Sequence, residues 1–474
     1  MPAEYPHHCF PGERLARDGI GMAEIAVGPE AVLAQRGDPT VPAKAIPLRH
    51  VIAVFIGNGL EFYDFLTFSY FAVYIGGAFF PSHDPTVSLL ASLATFGIGF
   101  LTRPVGAIVI GGMGDRVGRK PAMLLSFSLM GIAIIGLALT PSYARIGMAA
   151  PILVVLFRLL QGFALGGEVG PTTAYMAESA PPERRGLYLC MQYATQDVAI
   201  LLAGFVGLAL AKLLDAQQLQ DWGWRAAMLL GATIVPFGIL VRRRLPETLQ
   251  AAVETAPGIA APGIGIRAHV RRNLAIIVFG LMMLTATTIG SYSLGYMTTY
   301  ALATLHLSAA VAFGATIING GFSIVSEVWS GWLSDKYGRK PVMLIPGVLL
   351  VLSILPGFWV IDHFRDAWAL YGAETVMTIF AGVCAVPAIV AITEQLPPSI
   401  RSGAVATVYA FAISIFGGST QWVITKLIQI TGSPLAPAFY WTAAMIIGLV
   451  AMALVRESAP AKAGRQAHSG AAVS

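Results

Sequence analysis

The stretch Gly111-Gly-Met-Gly-Asp-Arg-Val-Gly-Arg-Lys120 lies between two long apolar runs, and it recurs 220 residues later as Gly331-Trp-Leu-Ser-Asp-Lys-Tyr-Gly-Arg-Lys340. Its glycines allow a tight chain reversal, and its carboxylate, Asp115 or Asp335, can cap the N-terminus of a neighbouring helix. Its Arg and Lys residues hold such a loop on the cytoplasmic side of a membrane. Two short hairpins at a fixed offset therefore predict a duplicated membrane bundle.

The composition indicates a membrane protein. Of the 474 residues, 56% are hydrophobic and 12% are charged, whereas a soluble surface carries roughly a quarter or more of charged residues. Apolar runs of about 20 residues, the length of a membrane-spanning helix, recur along the chain without strand-like alternation. The sequence therefore predicts an all-α membrane protein in contact with the lipid bilayer. The net charge of +5 comes from cations in loops on one side, so no nucleic-acid partner is expected.

Twelve apolar spans fall into two similar halves. Glu178-Ser-Ala-Pro-Pro-Glu-Arg-Arg-Gly186 is echoed 216 residues later by Glu394-Gln-Leu-Pro-Pro-Ser-Ile-Arg401, a second repeat. Two parallel six-helix halves with a substrate between them are a known transporter layout. Because Lys and Arg crowd the loops on the hairpin side, both termini are predicted to be cytoplasmic. The predicted parts are a disordered N-terminal tail at 1–47, a six-helix bundle at 48–241, a central loop at 242–272, a second six-helix bundle at 273–456 and a C-terminal tail at 457–474.

Motifs inside the spans add a family resemblance. They are Gly57-Asn-Gly-Leu-Glu-Phe-Tyr-Asp64, Arg103-Pro-Val-Gly-Ala and Arg158-Leu-Leu-Gln-Gly-Phe-Ala-Leu-Gly-Gly-Glu168. Together with the paired hairpins they resemble the major facilitator superfamily, and within it the metabolite:proton symporter branch, over about residues 48–456. Gln196-Asp-Val-Ala-Ile200 and neighbouring segments are similar to the citrate and tricarballylate carriers. The resemblance implies a bacterial inner-membrane protein that takes up an organic acid with a proton by alternating access, as a monomer and without a cofactor.

Candidate proton-coupling residues lie in the first and fourth spans. Asn58, Glu61 and Asp64 recur every third residue and share one helix face. Two carboxylates at a poorly hydrated cavity bind protons more tightly than in water, so Glu61, Asp64 or Glu168 is predicted to carry the coupled proton. The alternative is that Glu61 caps or pairs with a neighbouring helix and Asp64 faces a wet vestibule. The resemblance ties Arg158 to proton coupling; the alternative is a structural ion pair with Glu61, Asp64 or Glu168.

Candidate substrate ligands come from several spans. Arg103 offers a planar guanidinium that suits a carboxylate, although an interhelical clamp is an equal alternative. Gln192 and Gln196 share one helix face, and Tyr292 and Tyr296 line another span; these groups suit an oxygen-rich acid, or they bridge helices. The predicted substrate set is Asn58, Arg103, Arg158, Gln161, Gln192, Gln196, Tyr292 and Tyr296.

Four further polar residues leave the substrate open. Glu327 has no counterpart in the second span and is a candidate second titrating group, and Asp197 lies beside Gln196. Gln421 and Lys426 depart from the pattern of the citrate carriers, and Lys426 is close enough to the outer end to snorkel to the interface. Two alternatives therefore stand: a symporter of the same fold for a zwitterion or an aromatic acid, of the betaine, proline or shikimate type, and a membrane sensor on a transporter-like scaffold.

Gating contacts are predicted at the hairpins, and other chemistries are set aside. The gating set is Asp115, Arg119, Glu178, Asp335, Arg339 and Glu394, with Arg119–Glu178 and Arg339–Glu394 as inner ion pairs. The chain contains no GxxxxGK[ST] phosphate loop, HExxH or paired CxxC motif, so neither ATP-driven pumping nor metal catalysis is expected. The GxxxG spacing from Gly162 to Gly166 predicts close helix packing.

Overall fold

The computed structural model describes residues 59, 62–63, 65–117, 119–166, 184–243, 274–396 and 407–459. Nearly all of them are helical, and none of these residues is in a strand. Outside the described residues lie five predicted site residues, together with the predicted N-terminal tail and most of the predicted central loop and C-terminal tail. The five are Asn58, Glu61, Asp64, Glu168 and Glu178.

The first half contains seven labelled helices. Helical residues 65–70 precede α1, and α2 with α3 makes one membrane span from Pro85 to Met113. The helices are α1 Ala72–Phe79, α2 Pro85–Leu101, α3 Arg103–Arg116, α4 Arg119–Leu139, α5 Ala149–Leu165, α6 Arg185–Leu213 and α7 Trp224–Arg243.

The second half follows the same order with longer helices. They are α8 Leu274–Gly295, α9 Met297–Ala303, α10 Ala309–Tyr337, α11 Arg339–Phe364, α12 Ala367–Gln395, α13 Gly418–Thr431, which a π-helical turn at Ala412–Gly417 precedes, and α14 Ala436–Leu454. Eight of the described helices are long and apolar enough to cross a membrane. Each of the twelve predicted spans coincides with helix in the described residues, so the predicted fold class is confirmed.

Side-chain caps begin several helices at one end of the bundle. The Asp84 carboxylate accepts from the Thr86 amide at 2.8 Å, Ser308 Oγ accepts from Val311, and Asp366 accepts from Ala369. These oxygens replace bonds that the first turn of a helix cannot make. We call this end the far end, and the opposite end, which carries the Gly331–Lys340 hairpin, the hairpin end.

The buried apolar side chains form two clusters, and their characters differ. The cluster in the first half is aromatic, with Phe65, Phe68 and Phe96 fully buried. The larger one, centred in the second half, is mostly aliphatic and includes Met283 and Ile389. Large apolar side chains also cover the outside of the bundle, as expected where helices face lipid.

The long helices α6 and α10 join the two halves. At the hairpin end, a side chain on Gly331 of α10 would begin 2.8 Å from the Gly186 carbonyl oxygen of α6. In the middle, a side chain on Gly320 would begin 2.6 Å from the Leu201 amide nitrogen. Because these glycines lack side chains, the two helices pack backbone against backbone, and little space separates the halves along this contact.

Candidate functional site

Two buried arginines of the first half share one aromatic ring. The guanidinium carbons of Arg103 and Arg158 each lie 4.4 Å from the centre of the Phe65 ring. Arg103 also lies 4.2 Å from the Phe100 ring centre, and Arg158 lies 4.5 Å from that of Phe68. Arg103 is 7% exposed and Arg158 is fully buried. The rings fix the orientation of both cations by cation–π attraction and concentrate positive charge in the interior.

Close helix packing brings the two arginines together. A side chain on Gly162 of α5 would begin on top of the Gly99 carbonyl oxygen of α2, and one on Gly166 would begin 2.0 Å from the Arg103 carbonyl oxygen. Only glycine fits at either position, so α5 crosses the α2–α3 span in backbone contact. The close packing predicted from the GxxxG spacing is confirmed, and it places Arg158 beside Arg103.

Arg158 bonds to neutral groups among the described residues. Its Nη1 donates to Gln161 Oε1, and its Nη2 donates to the Phe96 carbonyl oxygen at 3.2 Å. Its Nε has no hydrogen-bond partner in the described part of the chain. The predicted carboxylate partners of Arg158, namely Glu61, Asp64 and Glu168, lie outside that part. Gln161 is thus brought to the arginine pair, where its side-chain oxygen accepts from one edge of the Arg158 guanidinium.

The second half and α6 contribute polar side chains near the arginines. The Tyr292 ring of α8 lies 5.7 Å from the Phe100 ring, edge to face, so it approaches the ring that covers Arg103. Gln196 of α6 lies beside Tyr409, which is within electrostatic range of Arg103. Tyr409 was not among the sequence-predicted residues. Arg103, Arg158, Gln161, Tyr292 and Gln196 therefore gather where the two halves meet.

Two predicted ligands are placed differently. Tyr296 is 2% exposed, and its hydroxyl accepts from Thr425 Oγ at 2.9 Å. Its ring packs against Tyr300, so its described contacts lie within the second half. Gln192 belongs to α6, but its side chain is outside the described part of the structure.

The hairpin end holds a buried ion-pair cluster. Arg339 is fully buried and pairs with Asp335 and with Glu394, its Nη2 lying 3.0 Å from Glu394 Oε1. The Asp335 carboxylate accepts from the amides of Gly186 and Leu187 at 2.9 and 3.0 Å. The predicted Arg339–Glu394 contact and the predicted helix cap by Asp335 are both present. Asp335 thereby connects the hairpin of the second half to the start of α6 in the first half.

The corresponding contacts of the first half are not described. Asp115 lies near the end of α3 and Arg119 begins α4. Their side chains, like the whole of Glu178, lie outside the described part. The predicted Arg119–Glu178 pair therefore stays a prediction.

The chain segment after the last span contacts the same cluster. Glu457 accepts from the amides of Arg339 at 2.8 Å and Lys340 at 3.0 Å, so it caps α11. Ser458 Oγ donates to Glu394 Oε2 at 2.6 Å. Partial burial raises the pKa of the Glu457 carboxyl, but four backbone amide donors outweigh it, and the net shift is downward. Sequence reasoning assigned residue 457 to the tail; the available signal was an acidic residue placed directly after the last apolar span.

The residues left open by the sequence occupy distinct places. Gln421 Oε1 accepts from Ser69 Oγ at 2.6 Å across the two halves. Lys426 Nζ donates to Gln429 at 2.7 Å on a partly exposed surface, which fits the expected anchoring role. Asp197 and Glu327 lie together in the α6–α10 contact.

Sequence reasoning missed one buried acid. Glu374 of α12 is fully buried, and neither carboxyl oxygen has a hydrogen-bond partner among the described residues. The signal that could have found it was a lone glutamate inside an otherwise apolar span.

Apolar helices in two similar halves, joined around buried cations, form the architecture of a secondary membrane transporter. The chain belongs to the Major Facilitator Superfamily, because the sequence profile of that family matches residues 54–419. The resemblance seen in the paired hairpins is thus confirmed. The protein is a multi-pass inner-membrane protein, and its relatives are transporters rather than enzymes.

Relatives of known function include carriers of different substrates. A citrate–proton symporter of Klebsiella pneumoniae is 34% identical over 91% of this chain and 99% of its own length. A glycine betaine/proline/ectoine/pipecolic acid transporter of Dickeya dadantii is 31% identical over 86% of this chain and 83% of its own. A crystal structure of a D-xylose–proton symporter matches with a TM-score of 0.68 at 18% identity, over 87% of this chain and 98% of that one. The last comparison supports the fold alone.

Proposed function

We propose that the protein is a proton-coupled symporter that takes up a carboxylated metabolite, a citrate-like di- or tricarboxylate, by alternating access. The observation that carries the proposal is the pair of buried guanidinium groups of Arg103 and Arg158, whose central carbons each lie 4.4 Å from the centre of the Phe65 ring. In the proposed orientation both termini are cytoplasmic, and the protein works as a monomer.

The arginine pair suits an anion for an electrostatic reason. Two like charges close together in a medium of low dielectric constant repel each other more strongly than in water. A bound carboxylate offsets that repulsion, and the planar guanidinium can bond both of its oxygens. Since the aromatic rings already hold Arg103 and Arg158 in place, binding orders little more of the protein. Gln161, Gln196 and Tyr292 would then bond the remaining oxygens of the acid.

Proton coupling is assigned to carboxyl groups near the arginines. Asp64, Glu61 or Glu168 would carry the proton, and Arg158 would respond to its charge. The support is the family resemblance together with two relatives that are named citrate–proton symporters.

The hairpin cluster is the proposed gate. In alternating access the halves rock about the substrate site, so contacts between them must break and re-form. Asp335 bonds the start of α6 across the halves, while Arg339 and Glu394 hold Asp335 in place. In the first half, the corresponding gating contacts would be made by Asp115, Arg119 and Glu178.

The test is uptake of radiolabelled citrate and other di- and tricarboxylates into proteoliposomes, with and without a pH gradient. We expect accumulation only with the gradient. Arg103→Gln should lower uptake about 10- to 100-fold, because a hydrogen bond to a charged group contributes about 1.5–3 kcal/mol. Arg103→Lys keeps the charge but loses the planar fork, so it should recover little.

The matched control is Arg365→Gln. Arg365 is half exposed and pairs with Asp362 at the far end, so its loss should leave uptake unchanged. Uptake that ignores the pH gradient would refute symport, and full activity of Arg103→Gln would refute the anion site.

A zwitterion or aromatic acid is the second candidate substrate. The Dickeya dadantii relative is named for betaine and proline, and aromatic rings such as those around Phe65 can bind quaternary ammonium groups. Competition separates the two candidates: citrate analogues of increasing negative charge should compete better if the substrate is a polycarboxylate, and worse if it is betaine. If no compound of the panel is taken up or competes, a membrane sensor is the better interpretation.

A further inference from the structure

A pair of carboxyl groups joins the two halves at mid-bundle. Asp197 belongs to α6 and Glu327 to α10, and their side chains share a hydrogen bond. Asp197 is 8% exposed and Glu327 is 7% exposed. One oxygen of each, Oδ2 and Oε2, has no hydrogen-bond partner among the described residues. Each carboxyl group therefore depends on the other for its hydrogen bond.

Two carboxylates cannot make such a bond. An ionised carboxyl group only accepts hydrogen bonds, so one of the pair must carry a proton that it donates to the other. Two buried carboxyl groups in contact behave in this way because full ionisation would place like charges side by side without water. The geometry of Asp197 and Glu327 thus describes a pair with one proton and one negative charge.

A small cavity adjoins the pair. Its volume is about 40 Å³, enough for two or three water molecules and too small for a tricarboxylate. Its polar lining comes from both halves: Asp197, Thr287, Ser291, Asn319, Ser323 and Glu327. Since Asp197 and Glu327 themselves line this cavity, it offers a proton a way to and from the pair.

The groups that face the pair are neutral. Tyr70 of the first span lies within electrostatic range of Asp197, and Cys190 and Tyr193 of α6 lie within range of Glu327. Cys384 of α12 lines the cavity. Among the described residues, none of the cavity-lining side chains or of these neighbours is a Lys, Arg or His, so no cation there offsets a second negative charge.

The helices pack closely beside the pair. A side chain on Gly320 would begin 3.0 Å from the Asp197 carbonyl oxygen, and one on Gly382 of α12 would begin 3.4 Å from Glu327 Cγ. If the shared proton leaves, two like charges lie between α6 and α10, and their repulsion falls when these helices separate. Protonation of the pair and closure of the halves are therefore linked.

We propose that Asp197 and Glu327 form a shared-proton site across the two halves and that this site carries a coupled proton during transport. With the proton bound, the pair has one negative charge and holds α6 against α10. When the proton passes to cavity water, two negative charges remain and favour separation of the halves. The proposal rests on the proposed proton symport and adds a site to Asp64, Glu61 and Glu168.

The experiment compares two kinds of transport by the full-length protein in proteoliposomes. The variants are Asp197→Asn, Glu327→Gln and the exchange Asp197→Glu/Glu327→Asp. Each coupled proton can concentrate substrate about tenfold per pH unit. We expect both single variants to lose this gradient-driven accumulation of labelled citrate, while citrate counterflow, which needs no net proton movement, stays within about twofold of wild type. The exchange variant should regain part of the accumulation.

Glu374→Gln is the matched control. Glu374 is also a fully buried carboxyl in the second half, but neither of its oxygens has a hydrogen-bond partner among the described residues, so its variant should accumulate citrate as wild type does. Wild-type accumulation by Asp197→Asn or Glu327→Gln would overturn the proposal. So would accumulation driven by a sodium gradient at constant pH that these variants abolish, because the site would then bind a metal ion.

A spectroscopic measurement separates this proposal from the proposed function. Difference infrared spectra between acidic and alkaline pH should show the C=O band of a carboxylic acid that Glu327→Gln and Asp197→Asn each shift or remove and that Glu374→Gln leaves in place. If wild type fails to accumulate any carboxylate but shows this band, the proposed symport is wrong and the pair still holds a proton. If the band is unaffected in both single variants, the shared-proton site is wrong.

Discussion

Arg339 has no exposed surface, and both of its acidic partners are nearly buried as well. A buried ion pair costs much desolvation free energy, so its formation adds little net stability, yet removing one partner leaves the others unpaired and is strongly destabilising. The charge of Arg339 is thus needed because Asp335 and Glu394 are present. It also holds Asp335 in the position from which it caps α6.

The first prediction tests whether the charge of Arg339 offsets the two buried carboxylates of Asp335 and Glu394. Arg339→Gln should lower the free energy of unfolding by about 3–5 kcal/mol, because two carboxylates remain without their cation. Arg365→Gln, which removes an exposed ion pair, should cost about 1 kcal/mol or less. Thermal unfolding of the purified proteins in detergent measures both. If the two variants melt together, the cluster does not have the assigned role.

Single residues differ in how far the sequence reveals them. Asp335 and Glu394 stand in repeated motifs, so their positions could be predicted. Asp197 and Glu327 stand in neither of the repeated motifs, and they lie 130 residues apart in the chain. Their contact depends on how α6 and α10 pack. Glu374 belongs to no repeated motif, and its one signal, a lone glutamate in an apolar span, was missed. The sequence therefore names the charged residues, and the packing decides which of them meet.

At the scale of elements, helix crossings depend on glycine. Gly162→Leu should prevent α5 from packing on α2, because the new side chain would begin on the Gly99 carbonyl oxygen. We expect a large loss of folded, monodisperse protein. Gly112→Ala in α3 is the control: nothing lies within 4 Å of the added methyl, and alanine favours a helix by roughly 0.5–1 kcal/mol over glycine.

Size-exclusion profiles and melting temperatures of these two variants check the prediction. A wild-type profile for Gly162→Leu would show that α2 and α5 can pack at a larger distance. The Arg103 and Arg158 pair would then not depend on this crossing.

The cap of α11 predicts a pH dependence. The pKa of Glu457 is lowered in the folded protein, so its carboxylate contributes stability above its unfolded pKa, and that contribution is lost as pH falls through the folded pKa. At neutral pH, Glu457→Gln should lower stability by up to about 1 kcal/mol, since the group is partly exposed.

The difference between wild type and Glu457→Gln should disappear in acid below the folded pKa of Glu457. Melting temperatures measured in parallel across this range test it. A difference that grows as the pH falls would have the wrong sign and would refute the cap.

Helix positions were predictable because length and hydrophobicity determine them: an apolar run of about 20 residues is a span wherever it packs. The hairpins were predictable from glycine and charge. What the sequence could not give was the contact made by the chain after the last span. Glu457 and Ser458 form hydrogen bonds with residues 339 and 394. No local sequence pattern predicts a partner so distant in the chain.

At the scale of the whole molecule, the halves are joined differently at the two ends. At the hairpin end, Asp335 bonds the backbone at the start of α6. At the far-end side, Ser69 bonds Gln421, and Phe71 packs on Phe313, with ring centres 4.8 Å apart. The contacts at the hairpin end are therefore polar, whereas those toward the far end are partly polar and partly aromatic. Each set must break in turn if the halves rock.

The short segment from Arg456 to Ala459 affects how the protein can be handled. Since Glu457 and Ser458 bond α11 and Glu394, a truncation or a fluorescent fusion placed directly after Val455 would remove these bonds and loosen the second half. A junction placed beyond Ala459 would keep them intact. The position of a purification tag can thus change the behaviour of the transporter even when no residue near the Arg103 and Arg158 pair is altered.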